Sequence, residues 1–361
     1  MSYKLIMFIS TILLTFSYVA AQNDSETRSY IKTVEVGRET TLEVSNKYGT
    51  IQITPWNKDS AYIRAEVKAF AKDRSKLVKM FDGINVKITD TKYLVRAQTE
   101  FTSNINMLFE SFKGMTSKII SYDSHVEINY YINIPDYMNL NIENKYGDVY
   151  MEDNTGESRI SISNGSFKAN SLGKNSSVTM VFCDANINSI TSGNIDASFS
   201  DLSIGKTEDL TINSISSKYD IKKAGMIRGE SRRDKFFIGN IGSLQGNAYF
   251  TDYRVNTIRK ELNLNTKYGS VNADLIEKGF ESINITSGYS DISLVFDQAS
   301  SYNFDIRHLN AFLVLPDKNI KTEQKALNYD KKEYMTSGTF GRNQGTARVR
   351  IDATHGNIYI K

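Results

Sequence analysis

The chain is poor in the residues that staple, kink or catalyse: 361 residues hold one cysteine, three prolines and three histidines. A lone Cys183 excludes an internal disulfide and leaves stability to a core and to backbone ladders. Scarce proline suits long hydrogen-bonded ladders, in which proline is poorly tolerated. His125, His308 and His355 are too scattered for a triad or a zinc site, and neither a nucleophile motif nor a phosphate-cradling glycine loop is present. The formal net charge is only +3, or about +2 without Lys4, so nothing pulls the chain toward nucleic acid. Beyond the first 21 residues no apolar run has membrane-spanning length, so no transmembrane anchor is expected once those residues are removed.

What is abundant is a pattern. From Leu140 to Met151 apolar side chains fall at i, i+2, i+9 and i+11, two short alternating strands joined at the bend Tyr146, Gly147, Asp148. Copies recur at Leu42, Val44, Ile51 and Ile53; at Leu210, Ile212, Tyr219 and Ile221; and at Leu262, Leu264, Val271 and Ala273. Others begin at Ile283, Phe304 and Val349, and degenerate copies fill the interval between 158 and 255. The step is about 17 or 18 residues in the middle and about 21 later, the mark of a stacked repeat. Burying four apolar side chains yields roughly 6 to 12 kcal/mol, while ordering about 17 residues costs at least that much in backbone entropy. One coil cannot fold alone, and neighbours about 4.8 Å away supply the missing ladder bonds and core. The expected fold is therefore all-β: a single-chain parallel β-solenoid of about 17–21 residues per coil, right-handed by the rule for parallel crossovers.

Residues 1–21 read as a secretory leader, with Lys4, an apolar run from Leu5 to Val19, and Ala20 and Ala21 before Gln22. Residues 22–139 hold a strand, the first coil and an α+β capping insertion. Within that insertion a helix is expected over Asp73 to Phe81 with Leu77, Val78 and Phe81 inward, then strands over Ile84–Ile88 and Tyr93–Ala97. A second helix is expected over Asn104 to Lys113, with Ile105, Leu108, Phe109 and Phe112 on one face, packing over an open solenoid end. Val126 to Pro135 alternates strictly and delivers the chain into the solenoid, which occupies 140–361. A polar, lysine-rich loop is expected near 319–342, and the stretch from Ala347 to Ile360 is read as the last coil.

The strand ending in Ile134 and Pro135, the run Leu140 to Val149 with its Asn-Lys-Tyr-Gly-Asp-Val, and the closing Thr354-His-Gly-Asn-Ile-Tyr-Ile360 together carry a family resemblance. The mature chain resembles the bacterial "putative adhesin" family of unknown function, related to the head GIN domain of auto-transporter adhesins. The resemblance implies an envelope-associated or surface β-solenoid with an adhesive role. These motifs are turn and core residues, so they speak for architecture rather than activity. An auto-transporter would end in a membrane β-barrel, whereas this chain ends in its last coil, so self-export is not expected.

Two columns of the repeat could carry chemistry. Position i+6 is often aromatic, at Tyr146, Phe182, Phe199, Phe250, Tyr268 and Tyr289, with Tyr48 and His355 at the two ends. Rings at a bend can shield ladder hydrogen bonds and stack on each other; as a surface strip they suit carbohydrate. Position i+8 is often aspartate, which can close a turn onto the backbone two residues on. In adjacent coils Asp184 and Asp201 would repel unless solvated or bridged by a cation, for which calcium is the candidate; no other cofactor is expected. The expected function is an exported, non-enzymatic binding protein, periplasmic or at the cell surface, whose partner is carbohydrate or another envelope protein. The alternatives are a polysaccharide-active solenoid enzyme, built from carboxylates such as Asp184 and Asp201 near the basic run Arg228, Arg232, Arg233 and Lys235, or a scaffold for a protein partner.

Overall fold

The computed structural model describes residues 24–102, 124–341 and 345–361. The leader and the helix expected over Asn104 to Lys113 lie outside the described residues. All described strands join one sheet that closes on itself coil by coil. From Asn139 onward the coils follow chain order: Asn139–Lys145 with Val149–Asn154, then Ser158–Leu172, Ser176–Ser198, Asp201–Ile215, Lys218–Arg232, Lys235–Tyr249, Asp252–Ile276 and Ser282–Phe296. Each pairs in parallel with the next. Ile187, Ile204, Ile221, Ile238 and Val255 stand in register, so the expected step of about 17 residues is observed. Breaks in pairing recur three times per coil, as at Phe199, Gly205 and Glu208, and mark three corners.

The apolar template faces inward throughout. Leu42, Leu140, Ile142, Val149, Ile204, Ile221, Leu262 and Ile292 are all buried, and Tyr219, Phe236 and Tyr253 stack inside the core with centroids 4.5 and 4.9 Å apart. This is the continuous core that a single coil could not assemble.

At both ends the order of coils departs from the order of the chain. The coil of Ala347–Thr354 and Asn357–Ile360 is not the outermost: it lies between Ser282–Phe296 on one side and Tyr302–Leu309 with Phe312–Val314 on the other. The chain passes over one position, builds the outer coil, and returns to fill the space. Ile283 and Phe304 both align with Val349, and the repeat pattern alone does not rank such equivalent neighbours. The expected polar loop is a hairpin, Ile320–Asn328 and Glu333–Phe340, laid antiparallel on Tyr302–Leu309. Its exposed lysines and glutamates hide a strand whose buried contacts are only Thr336 and Phe340.

The opposite end is finished in the same way. Thr41–Lys47 and Ile51–Pro55 stack on Asn139–Lys145 and Val149–Asn154, and outside them lie Leu94–Phe101 and Ser124–Ile134. Antiparallel strands then close the edge: Ile84–Asp90 on Leu94–Phe101, and Ser60–Ala71 with Asp24–Glu35 on Ser124–Ile134. The helix Arg74–Asp82 is capped by Asp73, whose side chain accepts from Lys76 N at 2.8 Å. It buries Leu77, Met80 and Phe81, while Val78 is exposed, contrary to the inward placement expected for it. At 3.6 residues per turn, Met80 rather than Val78 shares the face of Leu77 and Phe81.

Candidate functional site

The bend at i+6 is a corner with a fixed backbone geometry. From Tyr48 (φ 67°) through Tyr146, Asn164, Phe182, Phe199, Ser216, Arg233, Phe250, Tyr268, Tyr289 and His355 to Asn310, each corner residue has positive φ. Non-glycine residues adopt this conformation only when their surroundings impose it. Here the next coil imposes it, because the corner N–H donates to the carbonyl preceding the following corner. Tyr48 N donates to Lys145 O at 3.0 Å, Phe199 N to Ile215 O at 3.0 Å and Phe250 N to Lys267 O at 2.9 Å. The recurrent Asn-Lys-Tyr-Gly follows from this corner. Asn144 turns inward and donates to Gly49 O and Asp148 O, Tyr146 takes positive φ, and a Cβ on Gly147 would lie 1.9 Å from Gly49 O.

The corner carries rings in three runs rather than one ladder. Tyr48 stacks on Tyr146 at 5.6 Å, and Phe182 on Phe199 at 5.0 Å. Phe250, Tyr268, Tyr289 and His355 stack at 4.8, 5.3 and 4.4 Å. Asn164, then Ser216 and Arg233, separate the runs. Tyr268 and Tyr289 therefore have both faces against neighbouring rings and present edges and hydroxyls. Free faces belong to rings at run ends, such as Phe199 and Phe250. Lysine adds to the corner: Lys47 Nζ lies 4.7 Å from the Tyr48 centroid and Lys267 Nζ 5.2 Å from that of Tyr268.

The inside of the same corner is polar. Cys183, Ser200, Ser217, Asp234 and Thr251 follow one another, all buried. Ser217 N donates to Asp234 Oδ1 at 2.7 Å. Asp234 Oδ2 accepts from Ser214 Oγ and Ser231 Oγ, each at 2.6 Å, and from Arg232 N at 3.0 Å. Burial pushes the Cys183 thiol pKa up, which disfavours the reactive thiolate.

Asp148, Asp252 and Asp291 at i+8 tie coils together instead of closing their own turn. Asp148 Oδ1 accepts from Ser166 N and Oγ, each at 2.8 Å, and Asp291 Oδ1 from Asn357 N and Nδ2, each at 2.9 Å. Asp184 and Asp201 are adjacent, as expected, and exposed, with Lys218 next in the column. No third acidic side chain joins them; among the described residues no group of three or more His, Cys, Asp or Glu could hold a metal ion.

One groove was not foreseen. A shallow groove of about 760 Å³ runs along the strand that leads into the corner, from Thr179 to Asn265. Its columns are i+3, with Asp196, Asn213, Glu230, Asn247 and Asn265, and i+5, with Val181, Ile215, Arg232 and Tyr249. Tyr249 joins groove to corner, meeting Phe250 and Tyr268 edge-on at 4.6 and 5.5 Å. The signal was present as outward polar residues at i+3, but only the apolar and corner positions of the template draw attention.

Fold and surface thus define a parallel β-solenoid with a corner of outward rings beside a polar groove. No family model matches the chain, and no curated protein matches it. Among solved structures, a "putative cell adhesion protein" from Clostridium sporogenes is similar over 93% of this chain and 100% of its own, at 11% identity and a TM-score of 0.21. A likeness of that size assigns neither fold nor function, and both rest on the geometry.

Proposed function

We propose that the chain is an exported, non-enzymatic binding protein of the adhesin or envelope-associated kind, acting through its surface ladders, with carbohydrate as the ligand class. The observation that carries this reading is the exposure of the corner rings. Phe182, Phe199, Phe250 and Tyr289 leave 57, 53, 47 and 52% of their surface in solvent. The corner backbone itself accepts Asn or Ser, as at Asn164 and Ser216, so folding alone does not call for rings there. Repeated half-exposed aromatics form an apolar strip of the kind that marks a binding surface. The leader-like residues 1–21 support export, and no helix among the described residues is long and apolar enough to cross a membrane.

The test is binding of the purified full chain to a glycan array, with and without calcium. A Phe199→Ala, Phe250→Ala variant removes free ring faces, and a Tyr268→Ala, Tyr289→Ala variant removes hydroxyl-bearing edges. Expected is binding by the parent and a loss of about tenfold in at least one folded variant, since a ring contact with a ligand is worth about 1–1.5 kcal/mol. Absence of binding across the array removes carbohydrate as the ligand and leaves the protein-partner reading, to be pursued by crosslinking. Release of new reducing ends from a bound glycan overturns the non-enzymatic reading.

A further inference from the structure

Resting on the carbohydrate reading, we propose that the groove from Thr179 to Asn265 is the seat of a linear polysaccharide laid along the solenoid axis, and that the aromatic corner is its flank rather than the main site. Three observations carry this.

First, the i+3 column changes character along its length. Asp196 is already satisfied, its carboxylate accepting from Asn194 Nδ2 at 3.2 Å and Asn213 Nδ2 at 3.1 Å. Among the described residues nothing pairs with the side chains of Glu230, Asn247 or Asn265, all exposed in consecutive coils. They offer amide donors, amide acceptors and a carboxylate at a spacing of about 4.8 Å per coil. Vicinal hydroxyls, each both donor and acceptor, match such a row.

Second, the length fits a chain rather than a single sugar. The groove crosses five coil steps, on the order of 24 Å. Its wall supplies apolar surface at Val181, Ile215 and Tyr249, respectively 36, 43 and 37% exposed, against which the apolar faces of successive sugar rings can rest.

Third, the surroundings disfavour other polymers. Backbone N–H and C=O groups on this face are committed to the ladders above and below, so an extended peptide finds no edge to join. Arg232 and Lys267 are balanced by Asp196 and Glu230, so a nucleic acid finds no net positive field.

The experiment is isothermal titration of the full chain with linear hexasaccharides of glucan, chitin, galactan and uronate type, each beside its disaccharide. The proteins are the parent, an Asn247→Ala, Asn265→Ala variant, a Tyr249→Ala variant and the corner variant Tyr268→Ala, Tyr289→Ala, with thermal unfolding confirming that each is folded. Expected is a hexasaccharide bound about tenfold or more tighter than its disaccharide, with each groove variant losing about tenfold while the corner variant loses less. Full binding by both groove variants with loss in the corner variant overturns the groove proposal and leaves the carbohydrate reading intact. Equal affinity for disaccharide and hexasaccharide also overturns it, since a short site would then suffice. Absence of binding by the parent sinks both. If Asn247→Ala, Asn265→Ala fails to fold, Asn247→Ser, Asn265→Ser takes its place with the same expected loss.

Discussion

A non-glycine residue held at positive φ costs on the order of 1–3 kcal/mol, and this fold asks for one in nearly every coil. Inter-coil hydrogen bonds from corner N–H groups, as at Tyr48, Phe199, Ser216 and Phe250, explain why that cost is met. It also predicts which substitutions the corner tolerates. At Ser216 (φ 55°), which bears no ring, Asn or Gly keeps stability within about 0.5 kcal/mol, whereas a β-branched residue lowers it by about 1–3 kcal/mol. Urea unfolding of Ser216→Asn beside Ser216→Val checks this, and equal stability would show that the corner does not constrain φ. Behind the corner, Asp234→Ala removes the acceptor of two serine hydroxyls and two backbone N–H groups, of which Ser231 Oγ keeps Thr251 Oγ1 as a partner. A loss of about 3–5 kcal/mol is expected from the same measurement, because several buried donors lose one shared acceptor at once. A loss under about 1 kcal/mol would mean that water or a shifted backbone replaces the carboxylate.

The elements at the two ends do a different task from the coils, since each covers an edge that would otherwise pair with another chain. His308 lies under one of them, 5% exposed, with Nδ1 3.2 Å from Ala311 O and Nε2 3.3 Å from Thr336 Oγ1 on the covering hairpin. Burial lowers its pKa below the ordinary value of 6.5, the contact with Ala311 O offsetting this only in part. A histidine depressed in the folded state binds its proton more readily when unfolded, so its contribution is intact above about pH 6.5 and is lost as pH falls below that value. Hydrogen-exchange protection of residues 302–340, corrected for the intrinsic rate at each pH, is therefore expected to fall as pH drops below about 6.5 in the parent and to lose that component in His308→Gln. An unchanged pH profile in the variant would assign the acid response elsewhere. Removing the hairpin altogether should bare Tyr302–Leu309 and give association that rises with protein concentration, measurable by sedimentation.

At the scale of the molecule, the repeat was legible because core positions obey period two inside a near-constant step, and one face of each strand is buried. Leu140, Ile142, Val149 and Met151 announced their coil. The aromatic column was legible too, and its division into three runs follows from Asn164, Ser216 and Arg233 occupying the intervening corners. The groove was illegible because outward residues at i+3 obey no apolar rule. The order of the final coils was illegible for a related reason: Ile283, Phe304 and Val349 present equivalent apolar faces, so the pattern does not say which of them lies outermost. That return has a consequence for stability. Because the coil of 347–360 is an inner layer, both Ser282–Phe296 and Tyr302–Leu309 depend on it for ladder bonds. In a solenoid whose layers couple only to neighbours, loss of an outer coil frays one end, but loss of an inner one disconnects everything beyond it. Truncation after residue 345 is accordingly expected to deprotect residues 302–340 to the level of an unfolded segment in hydrogen exchange, while 140–280 keeps its protection. Retained protection across 302–340 would mean that the outer coil closes directly onto Ser282–Phe296, and that the returning strand is an addition to the stack rather than the layer that holds its end.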